Sequence, residues 1–413
     1  MRKESQNRRE FLGRSAAGMA GLAVSGLGAA PRVLGANERI SIGVIGCGGR
    51  GSYLVGQARK VAKELNLDFT AVCDVWRPNR ESMSARFKEW TGKEPFSTSR
   101  YADLLARDDV DAVFIATPDH AHTPILIAAV GIGKDAYCEK PMAVRLEDAI
   151  IAVDAVRETK RVVQIGTQRR SEGIHIAGAK LVRSGVLGTI SEVKTGWHDS
   201  NPRWARSSED VKQEDVDWKQ YLMYLPDRAF DPRRYRCWHL YKDYTVGTPG
   251  LLGSHTIDIG TWFMDDPLPK TAVAHGGIYV WKDGREHADT IECLYEYPKG
   301  FMLTYSTRLG NSKMDAEAVF YGTGGTFYTE PLWTVSPEGG REKERVKEAI
   351  KVKPEGGIDH VRNWIECLRS RKDPNAPIEV GYAHSVASIM AFRAWESGRR
   401  QLYVPTTGEI REG

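Results

Sequence analysis

Lys140 stands where a lysine can act on a substrate oxygen. It ends the run Ala136-Tyr137-Cys138-Glu139 and precedes Pro141, so it lies at the end of a short apolar strand, and the proline biases it towards extended backbone. Oxidising a secondary alcohol takes a hydride from carbon and a proton from oxygen, and an ammonium group touching that oxygen stabilises the developing alkoxide. A second constellation would supply a partner for that chemistry. Gly46-Cys47-Gly48-Gly49-Arg50-Gly51 follows the apolar run 40–45, and the next apolar run, 69–73, ends in Asp74. The first glycine permits a tight turn and the second lets the backbone approach a pyrophosphate. Gly51 allows close packing of a helix whose N-terminus faces the phosphates. Asp74 is placed to accept hydrogen bonds from ribose hydroxyls and to repel a 2′-phosphate, which favours NAD. Arg77 and Arg80 keep NADP open. His120 and His122 form an H-x-H pair, but no third ligand at diagnostic spacing accompanies them, so no metal is expected.

These residues need a scaffold. From residue 40 to about 166, short apolar runs alternate with helix-period stretches, which predicts βαβ units and a parallel sheet. Strands are expected at 112–116, 136–139 and 162–166, with helices at 52–65, 77–90, 121–130 and 146–159. Such a sheet binds ligands at the carboxyl ends of its strands. Beyond Gly166 the texture changes. A helix at 174–184 and a strand at 190–197 lead into a long aromatic, charged segment, 198–248. Strands are then expected at 271–281, 290–297, 301–308, 316–322 and 326–329 without intervening helices, which predicts an antiparallel sheet. A charged, glycine-rich loop is expected at 337–357, and helices at 357–369 and 384–397 close the chain. The predicted fold class is α/β: a Rossmann domain, residues 37–166, then an α+β domain with a large open, mostly antiparallel sheet, residues 167–413, whose final helix packs on either domain.

Residues 1–36 read as an address. Arg8-Arg9 precede Phe11-Leu12 and an Ala/Gly-rich run ending at Pro31, a pattern that resembles a twin-arginine export signal and places the protein in the periplasm. The run is too short for a stable membrane anchor. The same 36 residues hold six Arg or Lys against two Asp or Glu, which accounts for the whole formal charge of +4. The rest is neutral overall and offers no basic field for nucleic acid. Cys47, Cys73, Cys138, Cys237, Cys293 and Cys367 lack CxxC spacing and sit mostly in apolar runs, so they are expected as buried thiols.

Together with the glycine turn, Thr117-Pro118-Asp119-His120-Ala121-His122 and Glu139-Lys140-Pro141 at successive strand ends closely resemble the glucose-fructose oxidoreductase, inositol dehydrogenase and rhizopine-catabolism family, Gfo/Idh/MocA. The resemblance implies that Thr117, Pro118, His120 and His122 line the cofactor, that Glu139 binds the nicotinamide ribose and that Lys140 reaches the reacting centre. It places Gln168 near the nicotinamide and Arg169 near the substrate, although Arg169 and Arg170 can equally serve carboxylates at a domain interface. The segment Gly250-Leu251-Leu252-Gly253-Ser254-His255-Thr256-Ile257-Asp258 is similar to the family's D-x-G-x-H-x-x-D, with Leu251 in place of the first Asp. What remains of the family's Lys, Asp and His group is Lys140 and His255, which implies His255 as the proton acceptor. Asp258 would bind substrate, orient the imidazole or serve the helix N-terminus. His198, Arg203 and His239, interleaved with aromatic rings, are candidate contacts for a sugar. The resemblance implies an NAD(P)-dependent oxidoreductase acting on a sugar, cyclitol or glycoside, forming dimers or tetramers. Two alternatives stand beside it: cleavage of a glycoside by transient oxidation and elimination, and a non-catalytic NAD-binding regulator.

Overall fold

The computed structural model describes residues 38–337 and 345–413, so the export signal expected at residues 1–36 lies outside the described residues. Strands β1 (Ile40–Ile45), β2 (Leu67–Cys73), β3 (Phe96–Thr98), β4 (Ala112–Ile115), β5 (Asp135–Cys138) and β6 (Val163–Ile165) form a parallel sheet ordered β3-β2-β1-β4-β5-β6. Helices α1 (Gly49–Val61), α2 (Arg77–Thr91), α3 (Tyr101–Leu105), α4 (Asp119–Gly131) and α5 (Leu146–Thr159) connect them. Every residue of β4 and β5 is buried, as helices on both faces require. Strand order reverses between β1 and β4, which opens a crevice at their carboxyl ends.

The second domain begins with α6 (Gly173–Arg183), β7 (Ile190–His198), α7 (Trp218–Leu222), α8 (Pro232–Arg236), α9 (Thr248–Leu251) and α10 (Gly253–Met264). It continues through β8 (Thr271–Gly277), β9 (Thr290–Glu296), β10 (Met302–Arg308), β11 (Ala318–Gly322), β12 (Thr326–Tyr328), β13 (Thr334–Ser336) and β14 (Ile350–Lys351). Helices α11 (His360–Ser370) and α12 (Ile378–Ser397) and the hairpin β15 (Gln401–Val404) and β16 (Glu409–Glu412) complete it. The sheet runs β14-β13-β12-β11-β7-β10-β9-β8-β15-β16 and is antiparallel except where β7 meets β10. Alternation decides its faces. In β9, Ile291, Cys293 and Tyr295 are buried in the core that also holds Phe263 of α10 and Met390 of α12, while Leu294 is exposed. Val273, Leu294 and Met302 leave an apolar stripe on the uncovered face.

The closing helices separate. Trp364 of α11 is wholly buried against Phe114 and Tyr137, with ring centroids 4.8 and 5.8 Å away, so α11 covers the first sheet. By contrast α12 packs on β8 and α5 and therefore touches both domains. The β3 strand and the C-terminal hairpin are additions to the expected elements, and β14 falls inside the expected loop. All six cysteines are buried and free. Among the described residues no helix is long and apolar enough to cross a membrane.

Candidate active site

The crevice is a cleft of about 560 Å³ lined by both domains. Its floor is the glycine turn. Gly46 has φ +91°, and a Cβ there would lie 2.6 Å from the Ala116 carbonyl. A Cβ on Gly51 would fall 1.9 Å from the Gly46 carbonyl oxygen, so α1 can approach the turn only with glycine here. A Cβ on Gly48 would meet only the Asn79 side-chain amide, at 3.5 Å, and one on Gly49 would meet nothing within 4 Å. A pyrophosphate fits that cradle at the N-terminus of α1.

Asp74 follows β2 and is 8% exposed. Its Oδ2 accepts from the Cys47 amide at 2.7 Å and from Asn79 Nδ2 at 3.3 Å, and its Oδ1 accepts from the Trp76 amide at 2.8 Å. Burial raises its pKa, and these donors oppose the rise. Both nearby arginines have partners within the protein. Arg77 pairs with Asp215, and Arg80 Nη1 donates to the Asp74 carbonyl at 2.7 Å. Five buried atoms of cleft-lining residues lack partners: Trp76 Nε1, Thr117 Oγ1, His120 Nδ1, Arg236 Nε and His239 Nδ1. Such orphaned groups suit a polar ligand, and with the glycine cradle they fit NAD.

Beyond the turn, Arg50 Nε donates to Glu139 Oε1 at 2.6 Å, and the Lys140 amide donates to Glu139 Oε2 at 3.2 Å. Gln168 lines the cleft and donates to the Tyr137 hydroxyl at 3.4 Å. The Lys140 ammonium donates to the Leu251 carbonyl at 2.7 Å. Burial lowers the pKa of Lys140, opposed by the charges of Glu139 and Asp119. His255 lies on α10 with its ring 5.8 Å from that of Trp197. Burial, then the Lys140 charge, pushes its pKa well down and keeps the imidazole neutral. Trp197, Trp204 and Trp238 wall this end, and His239 stacks between the latter two with centroids 4.9 and 3.6 Å away.

The other candidates divide. His120 and His122 line the cleft but are committed to backbone: His120 Nε2 bonds the Tyr221 carbonyl, and the two nitrogens of His122 face the Pro141 and Thr117 carbonyls. Arg203 reaches the cleft with its charge paired to Asp199.

Three substrate candidates lie elsewhere. His198 is one residue past Trp197 on a strand, so it faces the other side of the sheet, where its ring meets Ser306 Oγ and accepts from the Arg308 amide. Asp258 neither orients His255 nor meets the cleft, because Arg170 grips both its oxygens at 2.8–3.1 Å. Arg169 turns to Glu317, 2.7 Å away. Both arginines thus serve carboxylates, as the sequence reading allowed, but within the second domain rather than at a domain interface.

One group was overlooked. Asp119 sits at the first turn of α4, 2% exposed, with Oδ2 accepting from Thr245 Oγ1 at 2.7 Å. Burial pushes its pKa up to about 7, moderated by the charge of Lys140. Its position directly after the Thr-Pro turn of a strand end was the available signal.

Comparison with known proteins agrees with this geometry. Residues 40–167 match the model of the oxidoreductase family NAD-binding Rossmann fold, and residues 223–405 match the family's C-terminal alpha/beta domain. The chain belongs to the Gfo/Idh/MocA oxidoreductase family, and its first domain is an NAD-binding Rossmann domain. An inositol 2-dehydrogenase of Rubrobacter xylanophilus is 33% identical over 165 residues, 40% of this chain and 45% of its own length. The chain spans about half the length of the curated relatives it matches. Among solved structures, the WlbA dehydrogenase of Bordetella pertussis in complex with NADH and UDP-GlcNAcA superposes with a TM-score of 0.65 at 20% identity, covering 89% of this chain and 99% of that one. A levoglucosan dehydrogenase with NADH and levoglucosan gives 0.64 at 16% identity, covering 88% and 99%.

Proposed function

We propose that this protein is an exported NAD-dependent oxidoreductase acting on a secondary hydroxyl of a sugar, cyclitol or glycoside. The observation that carries it is the convergence of a half-buried ammonium and a neutral imidazole, Lys140 and His255, beneath the aromatic wall of a dinucleotide cleft. NAD bound along the glycine turn supplies the hydride acceptor. Lys140 would hold the substrate oxygen and stabilise its negative charge, while His255 would take the proton. The tryptophans offer flat apolar faces to the CH side of a pyranose or cyclitol ring. Relatives named for inositol and neighbours crystallised with levoglucosan or UDP-GlcNAcA support this substrate class. The test is a screen of sugars, cyclitols and glycosides against the purified protein, read by nicotinamide absorbance. No turnover with any of them would defeat the reading.

Leu251, which removes a carboxylate from the reacting end, favours as second reading the cleavage of a glycoside with return of the hydride. A free aglycone without net cofactor reduction would select it. Export rests on Arg8 and Arg9, and fractionation of the Arg8→Lys, Arg9→Lys double variant tests it: unchanged periplasmic recovery would remove the signal. The apolar stripe of Val273, Leu294 and Met302 supports association of subunits through the open sheet, which light scattering would contradict by showing a monomer at all concentrations.

A further inference from the structure

The segment 206–244 has no part in either sheet, yet it is tied to the first domain at both ends of the cleft. At the adenosine end, beyond β2, the Asp217 amide donates to the Val75 carbonyl at 2.8 Å, and Trp76 forms a backbone bridge with Val216. Ser99 Oγ donates to Asp217 Oδ2 at 2.7 Å, and Arg77 Nε donates to Asp215 Oδ1 at 3.0 Å. The Arg236 guanidinium lies 4.7 Å above the Trp76 ring and pairs with Asp210, while the Tyr235 ring lies 6.2 Å from that of Trp76. At the nicotinamide end, beyond β4, the His120 amide donates to the Tyr244 carbonyl at 3.0 Å and the His120 ring bonds the Tyr221 carbonyl at 2.9 Å. Val75 packs into the apolar cluster of Tyr221, Leu222, Cys237, Leu240 and Tyr244 that holds the segment together.

From these ties we infer that residues 206–244 are a clasp closed over the adenosine half of the dinucleotide, holding it as a resident redox group rather than a co-substrate exchanged at each turnover. Trp76, Tyr235 and Arg236 form the pocket for the adenine. The cleft lining supports this directly, because Tyr235 and Arg236 share it with Gly48 and Asp74 although they come from the other domain. A Rossmann crevice alone leaves the adenosine open to water on the side away from the sheet. Here that side is a wall of the second domain. On that wall the buried Arg236 Nε has no partner, nor has the buried Trp76 Nε1 opposite it on the first domain, so the pocket contains unspent donors where the ligand belongs. Dissociation then requires the breaking of the Val75, Ser99 and Arg77 ties, whereas a sugar needs only the opposite, tryptophan-walled end.

The inference rests on the reading that NAD binds this cleft, and the experiment separates the two. Full-length protein is loaded with NAD, desalted and assayed for retained nucleotide, and the release rate is measured by displacement with excess unlabelled NAD after loading with the radiolabelled form. Wild type is expected to keep a near-stoichiometric load through desalting. The Arg77→Ala, Ser99→Ala double variant cuts two side-chain ties from the first-domain side and leaves Asp217 Oδ1 accepting from the Gln220 amide at the start of α7. It should release NAD at least ten-fold faster, with its melting temperature without nucleotide little changed. As a check independent of folding defects, NAD should slow amide hydrogen exchange in wild type across residues 211–222. Loss of the whole load from wild type on a single desalting, equal release from the variant, or unprotected amides in 211–222 would overturn the clasp. Failure of wild type to bind NAD under any loading condition would instead overturn the reading on which it rests.

Discussion

The ammonium of Lys140 donates to the backbone carbonyl of Leu251, 111 residues away, across 2.7 Å. Where the family pattern has a carboxylate side chain, this protein offers the lysine a main-chain oxygen. The ammonium is therefore oriented by the fold of α9 rather than by an opposite charge. Lys140→Ala and His255→Ala should each lower turnover by about 10² or more while NAD affinity, read by calorimetry, stays nearly unchanged, since both groups act on the alcohol proton. Full activity in His255→Ala would sink the proposed base.

Leu251→Asp tests the same relationship from the other side. The Leu251 side chain is 5% exposed and packs with Leu252, Leu309 and the tryptophans. A carboxylate there must be desolvated, so the variant should melt at a lower temperature. An unchanged or higher melting temperature would show that the site accepts the charge beside Lys140.

Asp119 should set the alkaline limit of activity. Its ionised carboxylate supports the ammonium form of Lys140 against burial. In Asp119→Asn the hydrogen bond to Thr245 can be kept but the charge is lost, so Lys140 should deprotonate at lower pH. The alkaline limb of the pH–rate profile should move down by a measurable fraction of a unit. An unmoved limb would exclude this role.

Asp74→Ala should weaken NAD binding and narrow its preference over NADP. The carboxylate repels a 2′-phosphate, and it also satisfies the Cys47 and Trp76 amides, whose loss of a partner costs about 1–3 kcal/mol each where water cannot replace it. Titration of both nucleotides decides it, and an unaltered affinity ratio would mean that Asp74 does not read the ribose.

Acid should destabilise the fold well before carboxylates reach their usual range. Burial pushes the pKa of His120 and His360 down to about 4 and that of His287 and His384 down to about 3. The unfolded chain takes up these protons from about pH 6.5, so the stabilisation is complete above that pH and is lost as pH falls towards the folded values. Asp119, raised to about 7, and Asp148, raised to about 6, both by burial, act in the opposite sense. Four downward shifts outweigh two upward ones, and one unit is worth about 1.4 kcal/mol. The melting temperature should fall between about pH 7 and about pH 5, and a constant value would contradict the buried neutral state.

What could be read from residues alone was local. Gly46, Gly51 and Asp74 are recognisable because strand, turn and helix are adjacent in the chain, and Lys140 because a strand end in a parallel sheet faces the ligand. His198 failed on parity: it shares a run of aromatics with Trp197, but neighbours on a strand face opposite sides. Asp258 and Arg169 failed because their partners, Arg170 and Glu317, are 88 residues before the one and 148 after the other. Asp119 escaped notice because its proton affinity is set by burial, and its hydrogen bond comes from Thr245, 126 residues on.

The burial of Trp364 against Phe114 and Tyr137 sets an order of maturation. When only the first two hundred residues have been made, every strand of the nucleotide domain is present, yet the face that α1 and α2 cover still lacks α11 over β4 and β5. Gln164 is likewise without the His360 carbonyl, and Asp135 without Arg371. The domain that is first in the chain is thus among the last to be finished. A chain that ends before α11 leaves Phe114 and Tyr137 without Trp364, so the first domain reaches its full packing only when the end of the second has been made.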